Sequence, residues 1–119
     1  MGVTKVKYRS SKRAKALAIP EEVKDKVWCR DAGRCVWCRL TQHWSGYPGI
    51  PEAHYIPRSK GGLGIPENVL TLCRPHHDLY DHGTREQREK MKMAFSEYLK
   101  QWHPGWDEEK LIYHKEDFS

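Results

Sequence analysis

The 119-residue chain is the length of one domain, and with 38% hydrophobic residues and a mean hydropathy of −0.88 its apolar core is small, the situation in which a metal or disulfide staple is commonly needed. No apolar run approaches the roughly 20 residues of a membrane-spanning helix, and the start lacks the apolar centre of a signal peptide, so the expectation is a soluble cytoplasmic protein with no membrane partner. The net charge of +5 is unevenly placed: residues 1–19 hold six bases and no acid, and the other hundred hold fifteen bases against sixteen acids.

That excess defines a first candidate surface. Lys5, Lys7, Arg9, Lys12, Arg13 and Lys15 can neutralise phosphates, and the released counterions give sequence-independent affinity for nucleic acid. A solubilising tail is the bland alternative. Residues 1–18 show neither an apolar period nor caps and are expected to be a flexible basic arm that orders on a partner, with residues 19–119 as a single domain.

Residues 20–31 carry helix signals. Pro20 sits at a first-turn position, Glu21 and Glu22 lie at the positive end, and Val23, Lys26, Val27 and Arg30 recur at helical intervals before Gly33. Within residues 34–40, Cys35 and Cys38 read as a zinc knuckle, a tight turn with amides aimed at thiolates and Trp37 as cover. Cys29 reads as a free, partly buried thiol. Residues 41–51 form a loop in which Trp44 and Tyr47 either stack on a base or, as is commoner for such aromatics, close the core. Short strands are expected at 52–56 and 69–72, joined through a flexible 59–64 segment whose glycines lack the Lys-Ser/Thr ending of a phosphate-binding loop. A helix starting at Pro75 runs to about Asp81 and stops at Gly83. The longest helix spans 84–102: Thr84 and Gln87 match a capping box, while Met91, Phe95, Tyr98, Leu99 and Trp102 share a face. Past Pro104 and Gly105, residues 111–113 are apolar enough to pack back.

Two ligand pairs stand out, Cys35 with Cys38 and Cys73 with His76, separated by 34 residues. Their tight spacing favours metal ligation in a reducing compartment over disulfides, and thiolate and imidazole donors suit tetrahedral Zn2+. His77 follows the second pair, and Asp81, four residues on, projects from the same helix face. An imidazole and a carboxylate so placed can hold a divalent ion with positions open to water and phosphate, although the same spacing often makes only a surface hydrogen bond. If the two strands pair against that helix, His54 comes opposite His77, a neutral base across a gap from a metal.

The run His54-Tyr55-Ile56-Pro57, the Gly61-Gly62 pair, Asn68, and Leu72-Cys73 followed by His76-His77 resemble the HNH endonucleases, the ββα-metal or His-Me finger class. The Cys35 and Cys38 pair matches their zinc-bearing branch, and the run through the last helix to residues 106–111 is similar to small bacteriophage members. The resemblance implies an α+β fold with a zinc-stapled, treble-clef-like ββα-metal core at about 30–83 and flanking helices. It implies a metal-dependent endonuclease that nicks or cuts duplex DNA, leaving 5′-phosphate and 3′-hydroxyl ends. The setting it implies is phage genome processing or packaging beside a terminase, in a bacterial or phage-infected cytoplasm. His54 falls on the general base, Asn68 on the residue that fixes the base's loop or ligates the metal, and His77 on a catalytic metal ligand. Asp81 would be a further ligand to Mg2+ or Mn2+, and Cys35, Cys38, Cys73 and His76 would hold the structural Zn2+. Arg58, just past the first strand, is a further candidate phosphate contact. The chain departs from the pattern at His76, where cysteine is usual, and at Ala53, where many members carry a metal-binding Asp or His. With Ala53 there, His77 and Asp81 hold the ion with waters and help from Asn68, or Glu52 reaches in, or the site is weak. The competing class is a non-catalytic zinc module that binds DNA or a protein partner, and Ala53 speaks for it.

Overall fold

The computed structural model describes residues 11–118. Strands β1 (Gly49–His54) and β2 (Val69–Cys73) pair antiparallel, with Gly49 opposite Cys73 and His54 opposite Val69. The register shifts between Ile50 and Ala53, where Pro51 has no N–H to give the ladder. β1 begins at Gly49, ahead of the expected 52–56, because Gly49 can lie flat on Thr71; a Cβ there would come within 2.7 Å of the threonine methyl.

A two-stranded ribbon is marginal alone, and β2 is buried along its whole length, so helices must cover it. They are α2 (Glu21–Arg30), α3 (Val36–Thr41), α4 (Arg74–His82) and α5 (Arg85–Trp102). The capping box expected at Thr84 and Gln87 is present, and Met91, Phe95, Tyr98 and Leu99 are buried, whereas Trp102 is half exposed. The main core joins Tyr55, Leu70, Leu72, Phe95 and Leu99 with the returning Leu111. A smaller cluster of Val23, Val27 and Val69 seats α2 on β2. The result is a small mixed α+β fold built on a two-stranded antiparallel sheet.

One buried charge pair ties three elements together. Asp31, at the end of α2, is 0% exposed and accepts from the Thr71 amide at 2.9 Å, the Tyr98 hydroxyl at 2.6 Å and the Arg30 guanidinium at 2.7 and 3.0 Å. Arg30 also donates to the carbonyls of Pro66 at 2.8 Å and Val69 at 2.7 Å, so the buried charges are hydrogen-bonded as well as paired. Burial, with the Asp31 carboxylate, pushes the Tyr98 hydroxyl up to about 12.

Four further expectations change. Within the expected arm, Lys12–Leu17 is a helix, α1, capped by Ser11 and anchored by Leu17, which is 2% exposed; Lys5, Lys7 and Arg9 lie outside the described residues. The glycine-rich 59–64 segment is packed and bonded: the Leu63 amide donates to Leu111 at 2.8 Å, and the Tyr113 amide donates to Gly61 at 2.8 Å. Trp44 and Tyr47 are 54% and 61% exposed and so do not close the core; Arg34 lies over the Trp44 ring at 5.5 Å. Cys29 is exposed. Among the described residues, no helix is long and apolar enough to cross a membrane.

Candidate functional site

Cys35 is the N-cap of α3 and its sulfur accepts the Cys38 amide at 3.4 Å, as expected of a knuckle. The second pair sits where β2 runs into α4: Cys73 closes the strand, and Pro75 near the helix start leaves His76 on the first turn. The His76 Nδ1 lies 3.5, 3.4 and 3.2 Å from the sulfurs of Cys35, Cys38 and Cys73, and Cys38 and Cys73 are 3.9 Å apart. Zinc–sulfur bonds of about 2.3 Å in a tetrahedron put sulfurs roughly 3.8 Å apart, so the donor set fits a zinc-sized ion. Its four ligand atoms all lie within 4.8 Å of one another. Burial pushes the Cys35 thiol up to about 12, which is the cost a bound cation would offset. The polar neighbour of the sulfurs is Ser45, whose hydroxyl donates to Cys73 at 3.1 Å. Trp37 instead packs edge-on against Phe95.

On the other side of the sheet's end, strand alternation sends Ala53 into the core and leaves Glu52 and His54 facing a cavity of about 540 Å3. Arg58, His77 and Asp81 line the same cavity, with Lys24, Ala18 and Ile19. His77 and Asp81, one turn apart on α4, approach to 3.5 Å, and Glu52 is held by Lys24 at 3.3 Å. His54 Nε2 lies 2.8 Å from the Leu17 carbonyl. Burial lowers the affinity of the His54 imidazole for a proton, and the nearby Arg58 and His77 add to this, against the Leu17 carbonyl and Asp81. A neutral imidazole with one free nitrogen is the form that accepts a proton.

Asn68 is fully buried and spends its side chain on backbone. Its Oδ1 accepts from the Ile56 amide at 2.8 Å, and its Nδ2 donates to the Ile56 carbonyl at 3.1 Å and the Leu63 carbonyl at 2.8 Å. It therefore fixes the chain leaving His54, and its fully buried side chain lines neither that cavity nor a neighbouring one. Gly62 belongs to the same device, since a Cβ there would sit 1.7 Å from the Ile56 carbonyl oxygen. Asn68→Ala is expected to cost about 1–3 kcal/mol for each buried partner left unpaired, measured as a drop in the urea unfolding midpoint.

Of the expected catalytic ligands, the cavity thus brings His77 and Asp81 together with His54 and Arg58, while Asn68 stays apart. Among the described residues, only the Cys35, Cys38, Cys73 and His76 set gathers three or more ligand atoms. Sequence reasoning missed Lys24 and the Leu17 carbonyl, which come from elements that touch the cavity only through tertiary packing. It also missed a second cavity of about 670 Å3 that shares His54, Pro57 and Asp81 with the first and runs past Lys60, Arg85, Arg88 and Lys92. Arg85, Arg88 and Lys92 fall at i, i+3 and i+7, one ridge of α5, with Glu89 and Glu108 among them. Comparison with models of known protein families finds no match, and no curated protein or solved structure matches the chain.

Proposed function

We propose that the chain is a metal-dependent DNA endonuclease of the HNH type that hydrolyses phosphodiester bonds. The observation that carries this reading is the shared cavity of His54, Arg58 and the His77–Asp81 pair, with a Cys3His cluster that could hold a metal ending at His76, next to His77, and β1, β2 and α4 in the order a ββα-metal core requires. His77 and Asp81 would hold a divalent ion such as Mg2+ or Mn2+, which when bound supplies charge neutralisation at the phosphate and the leaving 3′ oxygen. His54 takes a proton from the attacking water. Arg58 contacts a non-bridging phosphate oxygen, and Asn68 keeps the strand exit from shifting the base. The exposed Lys12, Arg13 and Lys15 of α1 provide duplex-binding charge, with the α5 ridge of Arg85, Arg88 and Lys92, where Arg85 pairs with Glu89 at 3.0 Å and Lys92 with Glu108 at 3.9 Å. Zinc at the Cys3His cluster is structural in this reading, and a role in phage genome processing or packaging beside a terminase follows from the resemblance alone.

The alternative, a zinc module without catalysis, is favoured by one observation: Ala53 is buried and, among the described residues, no third ligand is gathered with His77 and Asp81. Incubating supercoiled plasmid with the protein, with Mg2+ or Mn2+ and without added metal, separates the two. The nuclease reading expects open-circular or linear product only with the ion, and RNA run in parallel is expected to survive. Inertness with every divalent ion leaves the binding module.

A further inference from the structure

Reading His54 as the base raises the question of what holds it. A carbonyl oxygen can only accept, so the 2.8 Å contact to Leu17 requires that His54 carry a proton on Nε2. In the neutral ring Nδ1 is then the nitrogen with the lone pair. We propose that α1 is a positioning element of the reaction centre: its Leu17 carbonyl fixes the tautomer and orientation of His54, so the segment bearing the basic charge also sets the base. This rests on the nuclease reading above.

The docking of α1 rests on tertiary contacts. Six residues cannot hold a helix by themselves, so the order of Lys12–Leu17 comes from its contacts. Leu17 is buried, and the Gly64 amide donates to the Ala16 carbonyl at 3.0 Å. A Cβ at Gly64 would lie 1.9 Å from the Ala18 carbonyl oxygen, so only glycine allows the loop to come this close. Lys12, Arg13 and Lys15 remain exposed on the docked helix. Phosphates bound by these three side chains would therefore stabilise the same arrangement that presents the Leu17 carbonyl.

The test uses the full-length protein with Ala18→Pro and Ala18→Ser. Ala18 is exposed, and its φ of −70° and ψ of 153° suit proline. Proline removes the amide that donates to Ala14 at 3.1 Å and drives Leu17 out of the helical region, swinging its carbonyl away. Serine keeps both. Long-range 1H–15N spectra of the His54 ring read the tautomer, and plasmid nicking reads kcat and KM. Wild type and Ala18→Ser are expected to report a single Nε2–H tautomer. Ala18→Pro is expected to lose it, with kcat falling on the order of 10²-fold, as a misplacement of about 1 Å can cause. Gly64→Ala, matched for thermal stability, is expected to behave like Ala18→Pro. An Ala18→Pro protein that keeps the tautomer, or loses it at unchanged kcat, overturns the proposal. A wild type that never nicks, yet shows the tautomer that Ala18→Pro loses, overturns the nuclease reading and upholds the contact.

Discussion

Replacing Cys38 by Ser is expected to lower the melting temperature by roughly 10–20 °C, the shift that a loss of about 3 kcal/mol produces in a domain of this size, and to remove the zinc with it. The physical case begins with the small core. The sheet has two strands, and the cluster joins the N-terminus of α3 to the junction of β2 and α4, elements far apart in sequence. An ion at that junction adds its binding free energy to folding, an apparent 10–16 kcal/mol in isolated zinc-finger peptides. Here the shared core of Leu70, Phe95 and Leu99 also contributes, so less of that energy is needed for the chain to fold. Without the ion, three buried sulfurs and an imidazole crowd within hydrogen-bonding distance while burial keeps the Cys35 thiol protonated. Thermal melts combined with zinc content per chain check the assignment. One equivalent of zinc retained by Cys38→Ser at an unchanged melting temperature contradicts it.

The parts of the molecule readable from the chain are those set by local chemistry. Cys35 with Cys38 and Cys73 with His76 reach one point because each pair sits on a tight turn, and spacing alone states that. Thr84 and Gln87 announce the start of α5 for the same reason. What escaped depends on partners distant in sequence. Asp31 reads as the end of a helix, yet it is the acceptor for Thr71 and Tyr98, 40 and 67 residues away. Gly62 and Gly64 read as flexibility, whereas they mark where the Ile56 and Ala18 carbonyls press against the loop. α1 is too short to show a period, and its order derives from docking beside β1. At the candidate site, His54, His77 and Asp81 were readable from their residue types and order. Asn68's assignment to backbone rather than metal was not, because either use needs the same amide side chain. The buried position of Ala53 follows from strand alternation, which also leaves Glu52 beside His54 on the open face.

The second large effect concerns His54. On the nuclease reading His54 is the general base, and removing such a base costs typically 10²–10⁴-fold in rate. His54 is only partly buried and does not belong to either hydrophobic cluster, so His54→Ala is expected to keep its zinc and to lose no more than about 1–3 kcal/mol, at the Leu17 carbonyl left without its partner. That separation makes the variant informative, because a loss of nicking cannot then be blamed on the fold.

The most direct measurement is the initial rate at which supercoiled plasmid is nicked by wild type and by His54→Ala, each at one zinc per chain, with Mg2+ or Mn2+ and without. The predicted result is metal-dependent nicking by the wild type and a fall of about 10²–10⁴-fold for His54→Ala, both assayed well below their melting temperatures. Equal rates for the two proteins, or a wild type inert with every divalent ion, would contradict the assignment of a nuclease site to the His54, His77 and Asp81 cavity.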